Sequence, residues 1–174
     1  GISVERRGNT VILPSEYGIV YPDGKRYPVA VGPYREVRQI NRQLGLPDAQ
    51  AHHVAQNAAY GSIIPRSKGI AMSMPGNALT DVESSHYEAH NYGEIELDKY
   101  REAGATPTNR EMNTISAGEL QAARFSDVVV EYIIDQVIRQ QMKYGLQSGA
   151  PIPKMPRKIY FSVRQEDSSN ERTL

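Results

Sequence analysis

The distribution of the histidines constrains this chain more than any other feature. The sequence of 174 residues contains four histidines, which form two pairs, the adjacent His52-His53 and the spaced His86 and His90. Histidines with unrelated structural roles are expected to be scattered along a chain rather than gathered in one window. We therefore predict that the functional site is built from the segment between positions 51 and 90.

The composition excludes several kinds of protein. The 20 basic and 20 acidic residues give a net charge of zero. Nucleic-acid-binding proteins usually carry a net positive charge, so this balance counts mildly against that class but still allows a local basic patch. The absence of cysteine excludes disulfides and thiolate metal sites, so a metal would have to be held by His, Asp, Glu or Asn. No run approaches the roughly 18–20 apolar residues of a membrane span. We expect one domain without membrane association, or one domain with an appended arm.

The spacing of the second histidine pair predicts a chelating site. Residues four apart lie on the same face of a helix, so His86 and His90 can bind one metal ion. Three histidines leave a position open for substrate or water, and the pair His52-His53 can supply the third imidazole with one left over. The remaining imidazole can act as a general base toward water, while a divalent metal stabilises a phosphate oxygen and a departing alkoxide. This set permits hydrolysis of a phosphodiester.

The adjacent pair carries a geometric condition. The run Ala51-His52-His53-Val54 predicts a short strand or the end of one, and successive strand residues point to opposite faces. Both histidines can reach one site only if the strand ends or bends there, which a loop from Ala58 to Ile70 would allow.

The flanking segments predict an α+β fold. Residues 1–32 are predicted to be β, with a hairpin around Pro22-Asp23-Gly24-Lys25 that could equally belong to a linker. A helix is predicted from Pro33 to about Leu44, and a further extended piece over residues 70–74.

Three helices are predicted in the second half of the chain. The capping box Ser85-x-x-Glu88 predicts the start of an acidic helix that ends near Ala103. A short helical segment is predicted over residues 106–113. A second capping box, Ser116-x-x-Glu119, introduces a long helix with an apolar face over residues 120–144.

Three prolines predict an extended arm after residue 146, followed by a strand at 159–163 and a disordered polar tail from Gln165. We therefore expect an N-terminal β segment or linker at 1–32, a core at 33–145, and a C-terminal arm and tail at 146–174.

Two groups of basic residues each have two interpretations. Arg35, Arg38 and Arg42 share one face of the first predicted helix, which is either a solvated face or a stripe that faces phosphates. Arg66 and Lys68 lie in a predicted loop and either clamp a scissile phosphate or are simply solvated. We count Arg66 among the candidate catalytic residues.

The order of the chemically active residues resembles the His-Me finger (HNH) nucleases. The shared pattern is the His-His pair, then Asn77, then the helical pair that begins at His86. The triplet Ala51-His52-His53, followed by Ile64-Pro65, is similar to the AHH branch of these nucleases, which occurs as C-terminal toxin modules of bacterial polymorphic toxins. The resemblance implies a ββα-metal core at about 50–104 with surrounding helices and an N-terminal β-hairpin.

The resemblance also implies a role for each matching residue. His52, His86 and His90 would bind a divalent metal ion (Zn, Mg, Mn or Ni), and His53 would be the general base. Asn77 would pin the loop between the two parts of the finger.

The expected function is that of a metal-dependent DNase. As an interbacterial toxin module it would be joined to a PAAR, VgrG or Rhs carrier, as in type VI secretion effectors, and would act in the cytoplasm of the target bacterial cell. The producing cell would need a cognate immunity protein. Three alternatives stay open: an RNase toxin of the same fold, a non-catalytic metal-binding interaction module, and a phage or homing endonuclease.

Overall fold

Five antiparallel strands form one sheet, and helices cover both of its faces. The computed structural model describes residues 1–159. The strands are β1 Glu5–Arg7, β2 Thr10–Leu13, β3 Val29–Pro33, β4 Ala49–His53 and β5 Ile70–Pro75, in the sheet order β1-β2-β3-β5-β4. The helices of this part of the chain are α1 Tyr34–Gln43, α2 Asn57–Tyr60, α3 Ser85–Ala103, α4 Asn109–Ala122 and α5 Asp127–Lys143. The predicted α+β fold class is confirmed.

The alternation of side chains along the strands divides the core into two layers. One layer lies between the sheet and α1 and contains Ile12, Ala30, Val37, Ile40 and Ala71. The other lies between the sheet and the C-terminal helices and includes Val11, Leu13, Val31, Met72, Met74, Val129, Ile133 and Val137. The β4–β5 register pairs His52 with Met72 and His53 with Ala71. Because cross-strand partners share a face of a sheet, the two histidines belong to different layers.

The N-terminal hairpin differs from the prediction. β1 and β2 form it, with Arg7 opposite Thr10, and Gly8 in the turn has a φ of 59°. The predicted turn around Gly24 is present, but it is flanked only by the isolated bridge between Val20 and Arg26. The reason is that β3 already pairs with β2 along one edge and with β5 along the other. It has no edge left for the residues before the turn.

Two predicted capping boxes are not formed, although α3 spans Ser85–Ala103 as predicted. The N-cap of α3 is Ser84, whose hydroxyl accepts a hydrogen bond from the backbone N–H of Tyr87, so the predicted capping box at Ser85 is not formed. The capping box of α4 is made by Thr108 and Glu111, and this helix continues without a break through the predicted start at Ser116. Burial explains the second error, because Ser116 is completely buried in the interior of α4 and has no role at a helix end.

The C-terminal arm packs on the start of α4. The backbone N–H of Asn109 donates to the carbonyl of Ala150, and the N–H of Ile152 donates to the carbonyl of Pro107. Apart from Ile159, the predicted strand at 159–163 lies outside the described residues, as does the tail from Gln165. Within residues 1–159, no helix is long and apolar enough to cross a membrane.

Candidate metal centre

Three of the four histidines lie together, contributed by one strand and one helix. His52 is in β4, and His86 and His90 are one turn apart in α3. The ring centroids are 5.1 Å apart for His52 and His86, 5.0 Å for His52 and His90, and 5.0 Å for His86 and His90. One ring nitrogen of each histidine lies within 4.8 Å of those of the other two. The fold thus gathers the three histidines that were predicted as metal ligands.

The connection between β5 and α3 sets the helix against the sheet. Gly76 follows β5 with a φ of 94°, a conformation that favours glycine. The side-chain oxygen of Asn77 accepts hydrogen bonds from the backbone N–H groups of Leu79 and Thr80 at 2.9 and 3.2 Å. Asn77 therefore organises the backbone of the loop that precedes the ligand-bearing helix.

A backbone carbonyl orients His86. Its Nδ1 lies 3.2 Å from the carbonyl oxygen of Gly76, and a carbonyl can only accept, so Nδ1 is the nitrogen that donates. Nε2 keeps its lone pair for a ligand. Histidines that bind metals are commonly fixed in this way, with the second ring nitrogen donating to a carbonyl or carboxylate.

The environment keeps all three rings neutral. Burial lowers the pKa of His52 well below its ordinary value, and the neighbouring His90 and His86 lower it further. Burial also lowers the pKa of His86 to about 3 and that of His90 to about 4. Metal ions bind unprotonated imidazole, so the cluster is in its metal-binding form at neutral pH.

His52 lacks the partners that a buried imidazole needs. It is 1% exposed, and both of its ring nitrogens are buried without a hydrogen-bond partner among the described residues. Leaving a buried polar group unsatisfied costs about 1–3 kcal/mol. A metal ion bound at one of these nitrogens would relieve part of that cost.

The donor set fits a divalent transition metal. Imidazole suits zinc, copper, iron and nickel, whereas magnesium prefers carboxylate, carbonyl and water oxygens. Zinc accepts imidazole nitrogen at about 2.0–2.1 Å. His52, His86 and His90 are therefore the described residues that can hold a metal ion.

His53 lies on the opposite face of β4, beside α1. Its ring is stacked on that of Tyr34, with 4.1 Å between the centroids and 9° between the planes. Its Nε2 donates to the carbonyl oxygen of Arg66 at 2.9 Å, which leaves Nδ1 as the proton-accepting nitrogen. The pKa of His53 is lowered, chiefly by burial, so the ring is neutral near pH 7 and able to take up a proton.

The two predicted basic residues of this loop lie in different surroundings. The guanidinium of Arg66 lies 4.9 Å from the ring centroid of Tyr34 and donates to the tyrosine hydroxyl at 3.3 Å. The backbone carbonyl of Lys68 instead accepts a hydrogen bond at 2.7 Å from Gln140 of α5. Arg66 thus belongs to the surroundings of His53.

The histidine cluster and His53 lie on opposite faces of β4, a strand at one edge of the sheet. β4 is the last strand in the sheet order, so no other strand of the described chain covers its outer edge. The strand ends at His53, but the rings of His52 and His53 still lie on opposite faces of it, so the structure does not bring His53 into the cluster.

The acidic character of α3 is partly neutralised. Arg101 bonds to Glu94 at 3.1 Å and to Asp98 at 2.8 Å, and Lys99 bonds to Glu96 at 2.8 Å. Three carboxylates of the helix are thus paired with cations. The lowered pKa of His86 and of His90 is caused mainly by burial.

Tyr34 lies beside two candidate catalytic residues and was not itself predicted to be part of the site. Its ring contacts both His53 and Arg66. These residues are far apart in the sequence, so no local spacing indicates the contact. The sequence feature that could have indicated Tyr34 is its position at the start of α1, directly before the arginines of the basic face.

Comparisons with protein-family models, with curated proteins and with solved structures found no match to this chain.

Proposed function

We propose that this protein is a metal-dependent nuclease that hydrolyses phosphodiester bonds in DNA. The observation that carries the proposal is that a candidate metal ligand and a candidate general base are adjacent residues of one strand. His52 belongs to a buried cluster of three neutral imidazoles, and His53, the next residue, is a neutral imidazole held by a carbonyl and an aromatic ring. Metal-assisted hydrolysis of a phosphodiester needs both a metal site and a base.

The proposed finger consists of β4, β5 and α3. The two strands pair antiparallel from Ala49 opposite Pro75 to His53 opposite Ala71, and the helix after them carries the remaining two histidines. This order supports assignment to the ββα-metal type of the His-Me finger nucleases. The assignment rests on these residues and their arrangement.

The metal would be held by His52, His86 and His90. Once bound, it would supply positive charge that stabilises a phosphate oxygen and the departing 3′ oxygen. The preference of imidazole favours zinc or nickel over magnesium as the resident ion.

The chain's own groups would perform the proton transfer. Nδ1 of His53 accepts a proton from the attacking water, and the hydrogen bond from Nε2 to Arg66 keeps the ring oriented while it becomes positively charged. The guanidinium of Arg66, near Tyr34, can bind the scissile phosphate and offset its charge. The base and the phosphate-binding residue are thus linked directly by the hydrogen bond between His53 and the carbonyl of Arg66.

The proposed biological role rests on the resemblance of the histidine motif to the AHH branch. A nuclease of this kind would act as an interbacterial toxin, delivered into the cytoplasm of a target bacterium by a PAAR, VgrG or Rhs carrier. A cognate immunity protein would protect the producing cell. Induced expression in a bacterial cytoplasm should then arrest growth and degrade the chromosome, and His53→Ala should abolish both effects.

Plasmid digestion tests the proposed activity. Wild type should cut supercoiled plasmid in the presence of Zn²⁺, Ni²⁺ or Mn²⁺ and should be inhibited by EDTA. Folded, metal-loaded His53→Ala should cut about 10²–10⁴-fold more slowly. The control Arg110→Gln, in α4, should cut at the wild-type rate. Equal rates for His53→Ala and wild type would disprove the base assignment.

Two further outcomes separate the alternatives. Degradation of RNA with intact plasmid would identify an RNase. Metal binding in calorimetry without cleavage of either nucleic acid, across all the ions, would identify a non-catalytic metal-binding module.

A further inference from the structure

A basic cleft lies between α1 and the loop that precedes β5. Two adjoining cavities of about 560 and 600 Å³ open there. Both are lined by Tyr34, Arg38, Arg42 and Arg66, and Arg35 lines the second. We call this surface the α1 cleft. The arginine face of the first helix therefore borders a concave surface, and the Tyr34 ring at the start of that helix stacks on His53.

The positive charge of the α1 cleft is uncompensated. Among the described residues that line it, four are arginines and none is Asp or Glu. The one carboxylate of α1, Glu36, is turned toward the β1–β2 turn, where it accepts hydrogen bonds from the backbone of Asn9 at 3.0 Å and the hydroxyl of Thr10 at 2.8 Å. Within residues 1–159, the cleft arginines form no ion pair. They are available for an anionic ligand.

The arginines are spaced for a row of phosphates. A helix rises about 1.5 Å per residue, so Arg35 and Arg42 are separated by about 10 Å along the axis of α1. One strand of duplex DNA carries a phosphate about every 3.4 Å of its axis. The row can therefore face two or three successive phosphates of one strand.

The lining of the α1 cleft favours a duplex over a single strand. Proteins that bind single strands offer aromatic side chains on which unpaired bases stack. Tyr34 is the one aromatic residue among the described residues that line this cleft, and its ring is already in contact with His53 and Arg66. The charged groups of the lining are all guanidinium groups, which bind phosphate.

We propose that the α1 cleft binds the phosphate backbone of duplex DNA and leads the scissile strand to His53. This inference rests on the proposed nuclease function and adds to it the form of the substrate and the face on which it lies. It places the duplex against α1, with the scissile phosphate at the end of β4 beside His53.

Fluorescence anisotropy tests the binding surface separately from cleavage. The full-length chain is titrated, as purified and with EDTA, into a labelled DNA duplex, the matching single strand and an RNA duplex, and a gel confirms that the probe stays uncut. The variants are Arg38→Gln/Arg42→Gln and, as a matched control on another face, Arg110→Gln. Circular dichroism verifies that each variant is folded.

The expected result is a selective loss of electrostatic binding. The double variant should bind the DNA duplex at least 10-fold more weakly at low salt, and its slope of log K against log salt should be shallower by about 2, since each phosphate contact contributes about 0.9. Arg110→Gln should match wild type. Restoration of most of the affinity by Arg38→Lys/Arg42→Lys would support a contact made through charge.

Other outcomes overturn the inference or the proposed function separately. If the folded double variant binds DNA as tightly as wild type, and wild type is active, the α1 cleft is not the DNA-binding surface. The nuclease proposal would be unaffected by that result. Tighter binding of the single strand, or equal binding of the RNA duplex, would disprove the assignment to duplex DNA. If the double variant loses DNA binding but wild type cleaves nothing with any metal, the proposed nuclease activity is disproved. The proposed DNA-binding role of the α1 cleft would still be supported.

Discussion

The imidazole of His53 is held by the backbone of Arg66, not by its side chain: Nε2 donates to the Arg66 carbonyl oxygen at 2.9 Å. The side chain of the same residue turns back to the ring of Tyr34. One residue therefore has two separable roles, orientation of the base through its carbonyl and, in the proposed reaction, neutralisation of a phosphate through its guanidinium. Substitution of the side chain removes the second role and keeps the first.

Arg66→Ala should reduce kcat/KM for plasmid cleavage by about 10–10³-fold, because removal of one preorganised group that stabilises developing charge has an effect of up to this size. The pH profile of the remaining activity should shift slightly toward higher pH, because the Arg66 charge is one of the causes that lower the pKa of His53. The carbonyl that orients the ring is still present, so His53 should remain the base. Arg66→Lys should restore part of the rate. Loss of the His53 ionisation from the pH profile of folded Arg66→Ala would show that the side chain, and not the carbonyl, orients the base.

Tyr34→Ala should slow cleavage by about 10–100-fold through kcat, since a displacement of about 1 Å in a catalytic group can have an effect of this order. Tyr34→Phe keeps the ring that stacks on His53 and loses only the hydroxyl that bonds to Arg66 at 3.3 Å. We therefore expect its rate to lie within about threefold of wild type, since one partly exposed hydrogen bond contributes modestly. Tyr144→Ala, at the end of α5, is the control for loss of an exposed tyrosine. Equal effects of Tyr34→Ala and Tyr34→Phe would contradict a role for the stacked ring.

Metal binding should be visible as thermal stabilisation. A ligand at 100 times its Kd adds about 2.7 kcal/mol to the free energy of unfolding, which for a chain of this size corresponds to a rise in Tm of roughly 5–10 °C. Differential scanning fluorimetry with Zn²⁺ or Ni²⁺ should show this rise for wild type and for His53→Ala, and no rise for His86→Ala or His90→Ala. A rise that survives both ligand substitutions would show that the ion binds elsewhere.

His52→Leu should have opposite effects on the apo and metal-bound states. Both ring nitrogens of His52 are buried without a partner, so replacement by an apolar side chain removes an unsatisfied group and should stabilise the protein in EDTA by about 1–3 kcal/mol. The same variant should gain nothing from added metal. Urea unfolding with and without Zn²⁺ measures both effects. A destabilised variant in EDTA would indicate that His52 has partners that the structure does not include.

The sequence predicts the parts of this fold that local periodicity determines. Helix α1 follows from Pro33 and its apolar spacing, and the strand character of β4 from the short run around the histidine pair. The N-cap residues of α3 and α4 do not follow in this way. Ser84 and Ser85 are equally good capping residues by type, and only the packing of the loop before α3 selects Ser84.

The candidate site shows the same distinction between features set by local sequence and features set by tertiary packing. The helical spacing of His86 and His90 is local and predicts a shared face, which the structure shows. The stack of His53 on Tyr34 and its hydrogen bond to Arg66 depend on how α1 and the loop before β5 meet across the sheet. Such contacts are set by tertiary packing and leave no periodic signal in the chain.

A buried carboxyl group between α3 and α4 leads to a prediction about pH. Glu119 is completely buried. One of its oxygens accepts a hydrogen bond from Gln56 at 3.3 Å, and the other has no partner among the described residues. Burial raises the pKa of Glu119 well above its ordinary value, and the nearby Glu94 raises it further. The group is therefore protonated in the folded protein under conditions in which the unfolded chain releases the proton.

Glu119→Gln should consequently flatten the dependence of stability on pH. A group whose pKa is raised by folding contributes stability that is complete below its unfolded pKa of about 4.3 and is lost as pH rises through the folded pKa. Wild type should lose stability as pH rises from 5 to 9, because the folded state must keep a proton that the unfolded state gives up. The glutamine variant retains an oxygen for Gln56 and has no proton to lose, so its advantage over wild type should be small at pH 5 and grow toward pH 9. Urea unfolding at pH 5, 7 and 9 measures this difference, with the exposed Glu131→Gln as control. A constant difference across this range would show that Glu119 is ionised in the folded protein.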